Sequence, residues 1–324
     1  MKPKVMVYTA SSAFILLLCF VWAISCGSVH VAMSDIISFL TGKVGGSNYD
    51  IIMKIRLPRI IFAVLVGGML ASSGAILQAL LKNPLVDPFI TGISSGAAFG
   101  AACAIIAGVS GLILPSIVGA LVTMYVVYRL SIAFGSLSVS RLLLTGVMIG
   151  SFFSSLIMML NAVFSRDLVK VVFWLMGDLS NISPGLAIYG ALITLIILAA
   201  ALYFANDLNI MATGEDEAKS LGVRTEFIKV IYFIFAGVLT AISVALSGVI
   251  GFVGLIIPHI TRFFIGPDMR YMIPASFLSG AAFLLCADTL ARTIFLPAEI
   301  PVGVITGLIG VPVFIFLMNR RKNI

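Results

Sequence analysis

The sequence predicts an all-α polytopic membrane protein, and two observations carry that prediction. Of 324 residues, 61% are apolar and only 10% are charged, and the mean hydropathy is +1.19. A soluble domain of this size needs more polar surface than so few charges supply. Apolar runs of about 20 residues recur along nearly the whole chain, the length that crosses a bilayer as a helix. A transmembrane barrel shows short alternating segments instead. The net charge of +7 then marks cytoplasmic loops and not a nucleic-acid surface.

The same length rule places ten spans in order: Val7–Cys26, Ile60–Leu80, Phe89–Ala107, Leu112–Leu130, Leu142–Phe164, Pro184–Ala205, Ile228–Leu246, Ile250–Phe264, Tyr271–Ala291 and Ile300–Met318. The first is too long an apolar run for a signal peptide. "AISC" before Gly27 lacks the Leu that a lipoprotein cleavage site has at the position of Ala23. The eighth is short and interrupted by Pro258, which makes it a broken or partial span. With the N-terminus inside, thirteen Lys and Arg fall on the inner side. The outer side keeps Lys43, Lys54, Arg56, Arg59, Arg166, Lys170 and Arg292. That bias puts both termini in the cytoplasm. Residues 1–324 read as one membrane domain, with a weak repeat of halves at about 56–165 and 227–319.

Two outer segments have helical character. In "MSDIISFLTG", Ser34 caps a short surface helix with Ile36, Ile37, Phe39 and Leu40 as its apolar contacts, and Gly42 ends it. "SRDLVKVVFWLMGDLS" (165–180) has the spacing of a re-entrant or interfacial helix, with Trp174 suited to the interface. Runs such as "GGMLASSGA", "GISSGAAFGAA" and "SGVIGFVG" either let helices approach closely or let unwound backbone line a cavity.

Several motifs point away from catalysis. "GISSG" (92–96) matches G-x-S-x-G, but a nucleophile elbow needs a strand–turn–helix context and a His partner. The two histidines are His30, in an outer loop, and His259, beside Pro258. A single His without Cys, Asp or Glu nearby does not build a metal site, so His259 reads as structural. The cysteines Cys19, Cys26, Cys103 and Cys286 lack C-x-x-C spacing and read as inert thiols. Lys43 does not close a Walker A loop, so any nucleotide hydrolysis belongs to another chain.

Three charged features remain. Asp288 and Arg292, at i and i+4, share a helix face and either pair locally or face a cavity. Arg56 and Arg59 in "IRLPR" lie on the side where cations are scarce, and Pro58 fixes the backbone between them. They suit either interfacial anchoring or recognition of carboxylates by planar forks. "TGEDEAKSLGV" (213–223) is a charged island in a greasy chain. Thr213 is its expected cap, Glu215, Asp216 and Glu217 suit the positive end of a helix, and Gly222 ends it. Ala218 and Leu221 form a small apolar face suited to a partner's cleft.

The island and seven other stretches carry a resemblance: "RLPR", "GGMLASSGAILQALLKNPLVDPFITGISSGAAFGA", "SRLLLTGV", "FWLMGDL", "SGVIGFVGLIIPHITRFFIGPD", "GAAFLLCADTLAR" and "PAEIPVGVITGLIGVPVFIFLM". Together they cover nearly the whole chain, which resembles the FecCD-type permeases of ABC importers for iron chelates, haem and cobalamin. The resemblance implies the type II importer permease fold with ten spans, in the cytoplasmic (inner) membrane of a bacterium or archaeon. It implies a pathway between two permease subunits, read as two copies, with two cytoplasmic ATPases and an extracytoplasmic substrate-binding protein. The chain itself is then no enzyme and holds no cofactor; ATP and Mg2+ sit on the ATPase. The region of about 206–227 becomes the ATPase-coupling element, with Glu215, Asp216, Glu217, Ala218, Leu221 and Gly222. "NPL" and "SVSR" match inner-gate loops and give Asn83, Leu85, Ser138 and Val139 as gate residues. Arg56, Arg59 and Arg292 match outer docking arginines. The alternative is an ion-coupled secondary transporter, which needs buried carboxylates along its path, and only Asp288 approaches that. The cargo stays open among siderophore, haem, cobalamin and a small oxyanion.

Overall fold

The computed structural model describes residues 3–27, 47–133, 136–164, 168–180 and 184–320. The expected surface helix from Ser34 to Gly42, with His30, Lys43 and Arg166, lies outside them. The elements run α1 (Pro3–Ser25), α2 (Ser47–Ile51), a π-helical turn (Ile52–Arg56), α3 (Leu57–Leu80) and a 3-10 turn (Pro88–Thr91). Then come α4 (Ile93–Ile106), α5 (Ile113–Ser131), β1 (Ile132–Ala133), β2 (Ser136–Leu137), α6 (Val139–Val163), α7 (Leu168–Leu175) and α8 (Pro184–Tyr203). The chain continues through α9 (Ala205–Thr213), α10 (Glu215–Ser220), α11 (Thr225–Ser247), α12 (Val253–Ile265), α13 (Met269–Ala291) and α14 (Val302–Arg320).

Each of the ten expected spans falls on a helix. Seven described helices are long and apolar enough to cross a membrane: α1, the run Tyr49–Leu80, α5, α6, the run Gly185–Tyr203 of α8, α11 and α13. The shorter apolar helices are α4, α12 and the stretch Val302–Leu317. The eighth span is short, as expected, but Pro258 does not interrupt it: α12 runs without a break from Val253 to Ile265. Residues 248–252 are unwound before α12, with Gly248 and Phe252 at φ of +71° and +69°, and Pro258 lies inside the helix. The 165–180 segment gives the eight-residue α7.

Helix α3 is the axis of the bundle and is buried along almost its whole length. Its contacts are chiefly with α13, then α11 and α12. In lipid there is no hydrophobic drive to join helices, so close van der Waals approach supplies the attraction. Glycine permits that approach. A Cβ added to Gly67 would lie 2.3 Å from the Gly280 carbonyl oxygen of α13, and one on Gly280 would lie 2.4 Å from that of Gly67. One added to Gly74 would collide with Gly254 of α12. Here the small residues serve packing. Ser73 adds polar contact, donating to the Ala236 carbonyl at 2.9 Å and meeting Thr240 Oγ1 at 2.8 Å. Such interhelical bonds contribute about 0.6 kcal/mol each.

Candidate functional site

The charged island folds as a six-residue helix. α10 begins after Gly214, with Glu215, Asp216 and Glu217 in its first turn, where the helix dipole favours negative charge. Thr213 does not cap it; its hydroxyl donates to the Ile210 carbonyl at 2.8 Å and closes α9 instead. The C-terminus follows the expectation. Gly222 sits at φ +85°, Val223 N–H bonds the Ala218 carbonyl, and Gly222 N–H bonds that of Lys219. This double closure needs a residue with φ above zero at Gly222. The expected apolar face divides: Ala218 is fully buried in its own chain, whereas Leu221 is 71% exposed. Beside Leu221 lies a recess of about 370 Å3 lined by Phe204, Asp207, Ile210, Arg224 and Phe227.

An ion cluster fixes this helix to α11. Lys229 Nζ lies 2.7 Å from Glu215 Oε1 and 2.9 Å from Glu226 Oε1. Lys229 and its neighbour Lys219 hold the Glu215 carboxyl below the usual range. Lys229 and Glu226 are the functional candidates that the sequence reading missed. Their signal was present, as charges three apart at the start of an apolar run, where charges pair.

The four gate candidates lie on two loops. Asn83 Oδ1 accepts from the Leu85 N–H at 2.9 Å, which turns the chain after α3 and leaves Leu85 exposed. Asp87 accepts from Phe89 N–H and caps the 3-10 turn. Ser138 caps α6, its hydroxyl accepting from Arg141 N–H at 3.5 Å, and Val139 opens that helix half-buried. The 3-10 turn packs on α6 at Gly146, where an added Cβ would lie 2.4 Å from the Ile90 carbonyl oxygen.

At the other end of the bundle stand the arginines. Asp288 is fully buried. Its main partner is Arg59 of α3, whose Nε reaches both carboxylate oxygens at 3.0 and 3.1 Å. Arg292, the i+4 neighbour, is farther, with Nε at 3.7 Å from Oδ2. Arg59 also reaches Glu299 at 2.8 Å. Arg292 donates to the Ala23 carbonyl and Arg56 to that of Ile24. Both thus serve the last carbonyls of α1, which have no intrahelical partner. Arg56 and Arg292 are buried, and the exposed group of the cluster is Glu299. A cavity of about 370 Å3 opens beside it, lined by Arg59, Lys170, Trp174, Asp178 and Pro301.

Comparison with known proteins places this geometry. Residues 15–320 match the FecCD transport family. An uncharacterised ABC transporter permease protein of Bacillus subtilis is 41% identical over 93% of this chain and 90% of its own length. A cobalamin import system permease protein of Halobacterium salinarum is 40% identical over 84% of this chain and 74% of its own. A hemin transport system permease protein of Yersinia pestis is 33% identical over 99% and 97%. A solved structure described as an inward-facing conformation of a metal-chelate type ABC transporter superposes with a TM-score of 0.87. It is 33% identical and covers 96% of this chain and 98% of its own. With the fold and the sequence agreeing over nearly its full length, the chain belongs to the FecCD transport family, the membrane-spanning permeases of ABC importers.

Proposed function

We propose that the chain forms, with a second copy, the translocation pathway of an ATP-driven importer for an iron chelate, haem or cobalamin-type cargo. An extracytoplasmic binding protein delivers the cargo, and two ATPases carrying ATP and Mg2+ drive the cycle from the cytoplasm. The observation that carries this reading is α10, a charged helix that projects Leu221 beside an open recess. A protruding apolar residue framed by charge suits a cleft in a partner protein. The Lys and Arg bias supports a cytoplasmic side for α10 and both termini, in a bacterial or archaeal membrane like those of the relatives.

In this reading Asn83, Leu85, Ser138 and Val139 close the inner end of the pathway by bulk and dehydration, since none is ionisable. Arg59 and Glu299 face the binding protein at the outer end, with Arg56 and Arg292 supporting them from within. Ion coupling is disfavoured by the commitment of Asp288 to Arg59. The test is uptake into proteoliposomes containing the chain and its ATPase, with the binding protein supplied on the outer side, using ferric siderophore, haem and cyanocobalamin in turn. Uptake of one of them requires ATP at the ATPase face. Uptake driven by a proton or sodium gradient without the ATPase would overturn the reading.

A further inference from the structure

The importer proposed above requires that motion of α10 reach the inner gate. Resting on that reading, we propose that Lys229 is a positioning residue that links α10 to the gate segment Ser138–Val139 through a continuous chain of charged hydrogen bonds. Lys229 sits near the start of α11, one turn in, with its side chain only 7% exposed. An ammonium group so placed needs counter-charges. It takes one from each side. Glu215, the first residue of α10, receives it at 2.7 Å, and Glu226 at 2.9 Å. The second oxygen of Glu226 accepts from the Leu137 N–H at 2.8 Å. Leu137 ends β2, and the next residue, Ser138, caps α6.

The chain is therefore α10, Glu215, Lys229, Glu226, Leu137, Ser138. Each bond is short and involves a charged group, the strong kind of hydrogen bond. On the gate side the Leu137 side chain is buried in the core, while its backbone belongs to a very short ladder. β1 and β2 are two residues each, and an isolated two-stranded pair of that size is marginal. The Glu226 carboxylate and the 3.1 Å bond from Ser138 N–H to the Ser131 carbonyl hold it in place. Lys219 also reaches Glu215, at 3.4 Å, but its side chain is half-exposed and leads towards solvent. Lys229 is the group that joins the two sides.

The test uses the full complex in proteoliposomes with Lys229→Met, Lys229→Arg and Glu215→Gln. Three quantities are read: ATPase binding, cargo taken up per ATP hydrolysed, and labelling of a cysteine placed at the exposed Ser140 in a background free of native cysteines. Lys229→Met keeps the apolar stem and removes the link. It binds the ATPase like wild type, but cargo per ATP falls about tenfold, a common size for coupling between sites. Its cysteine labelling no longer follows nucleotide. Lys229→Arg retains coupling. Glu215→Gln, a change at a half-exposed carboxylate, shifts both readouts the same way by less, and it decides the matter if Lys229→Met does not fold. Wild-type coupling in the folded variant overturns the link. A wild-type chain that binds no ATPase overturns the importer reading as well, and it is told apart because the failure precedes any substitution.

Discussion

The two ends of the bundle each hold a cluster of charges, and the clusters are built differently. Around Asp288 the groups other than Glu299 are enclosed. The carboxylate has no exposure, the Arg59 side chain has 11%, and the partners come from α1, α3, α13 and the turn before α14. Around Lys229 only the ammonium is buried; its carboxylates are 38% and 41% exposed, and one rides on the short α10. An enclosed ion cluster is costly to break because each group left alone is a buried charge. A cluster whose acids touch water can part and re-form at small cost. The first therefore clamps four segments, while the second suits parts that the proposed transport cycle would move.

The largest effect is expected at the clamp. Asp288→Ala leaves the Arg59 and Arg292 guanidiniums facing each other in the buried end, at a cost of about 3–5 kcal/mol. The measurement is thermal unfolding in detergent. A loss no greater than for Glu299→Gln would show that the enclosure is unimportant and would erase the contrast between the ends.

Next comes the crossing that brings α13 to α3. Gly280→Val places new atoms against the Gly67 backbone, which has no side chain to move aside, and overpacking of this kind costs about 1–3 kcal/mol. The expected outcome is a lower unfolding temperature with ATPase binding intact, because Gly280 lies mid-way along α13, away from the Asn209–Asp268 bond that ties α9 and α10 to the start of that helix. Equal loss of binding would mean that the two ends are mechanically one.

Leu221→Arg should do the reverse. The residue is exposed, so folding is preserved, while a central apolar contact contributes about 2 kcal/mol to an interface. Binding of purified ATPase to wild type and variant measures it, and unchanged affinity removes Leu221 from the interface.

The smallest effect belongs to an exposed pair near the α10 end. Asp268 is held down from 3.8 to about 2, first by Arg270 and then by Asn209. A lowered carboxyl stabilises the fold fully above its unfolded value and loses that contribution as pH falls through its folded value. Acid titration of the unfolding temperature should therefore show a Asp268-dependent decline only below about pH 4. Asp268→Asn should flatten that part of the curve, and an unaltered curve would assign the decline to other carboxylates.

The sequence by itself determined the membrane class, the positions of the ten spans and the shortness of the eighth. These depend on composition and on local chain geometry, which a single segment reveals. It also determined the C-terminus of α10, since Gly222 satisfies a local backbone demand. Half of the Asp288–Arg292 reading was legible, as the two share a helix turn. The stronger Arg59 partner was not, because it lies 229 residues away. The same reason hid the burial of Arg56 and Arg292, whose partners are carbonyls at the end of α1. Thr213 matched a cap by residue type, yet α9 took its hydroxyl first. Ala218 and Leu221 looked alike on one helix face until packing turned one inward. What each glycine packs against was likewise decided by tertiary structure. Gly67 faces another helix at close range, and Gly248, in an unwound stretch at positive φ, packs just as closely on the Trp174 carbonyl. The physical reason is common to all of these. Periodicity and capping act over a few residues and are written in order along the chain, but a buried charge or a close backbone contact is satisfied by whatever group the fold brings beside it.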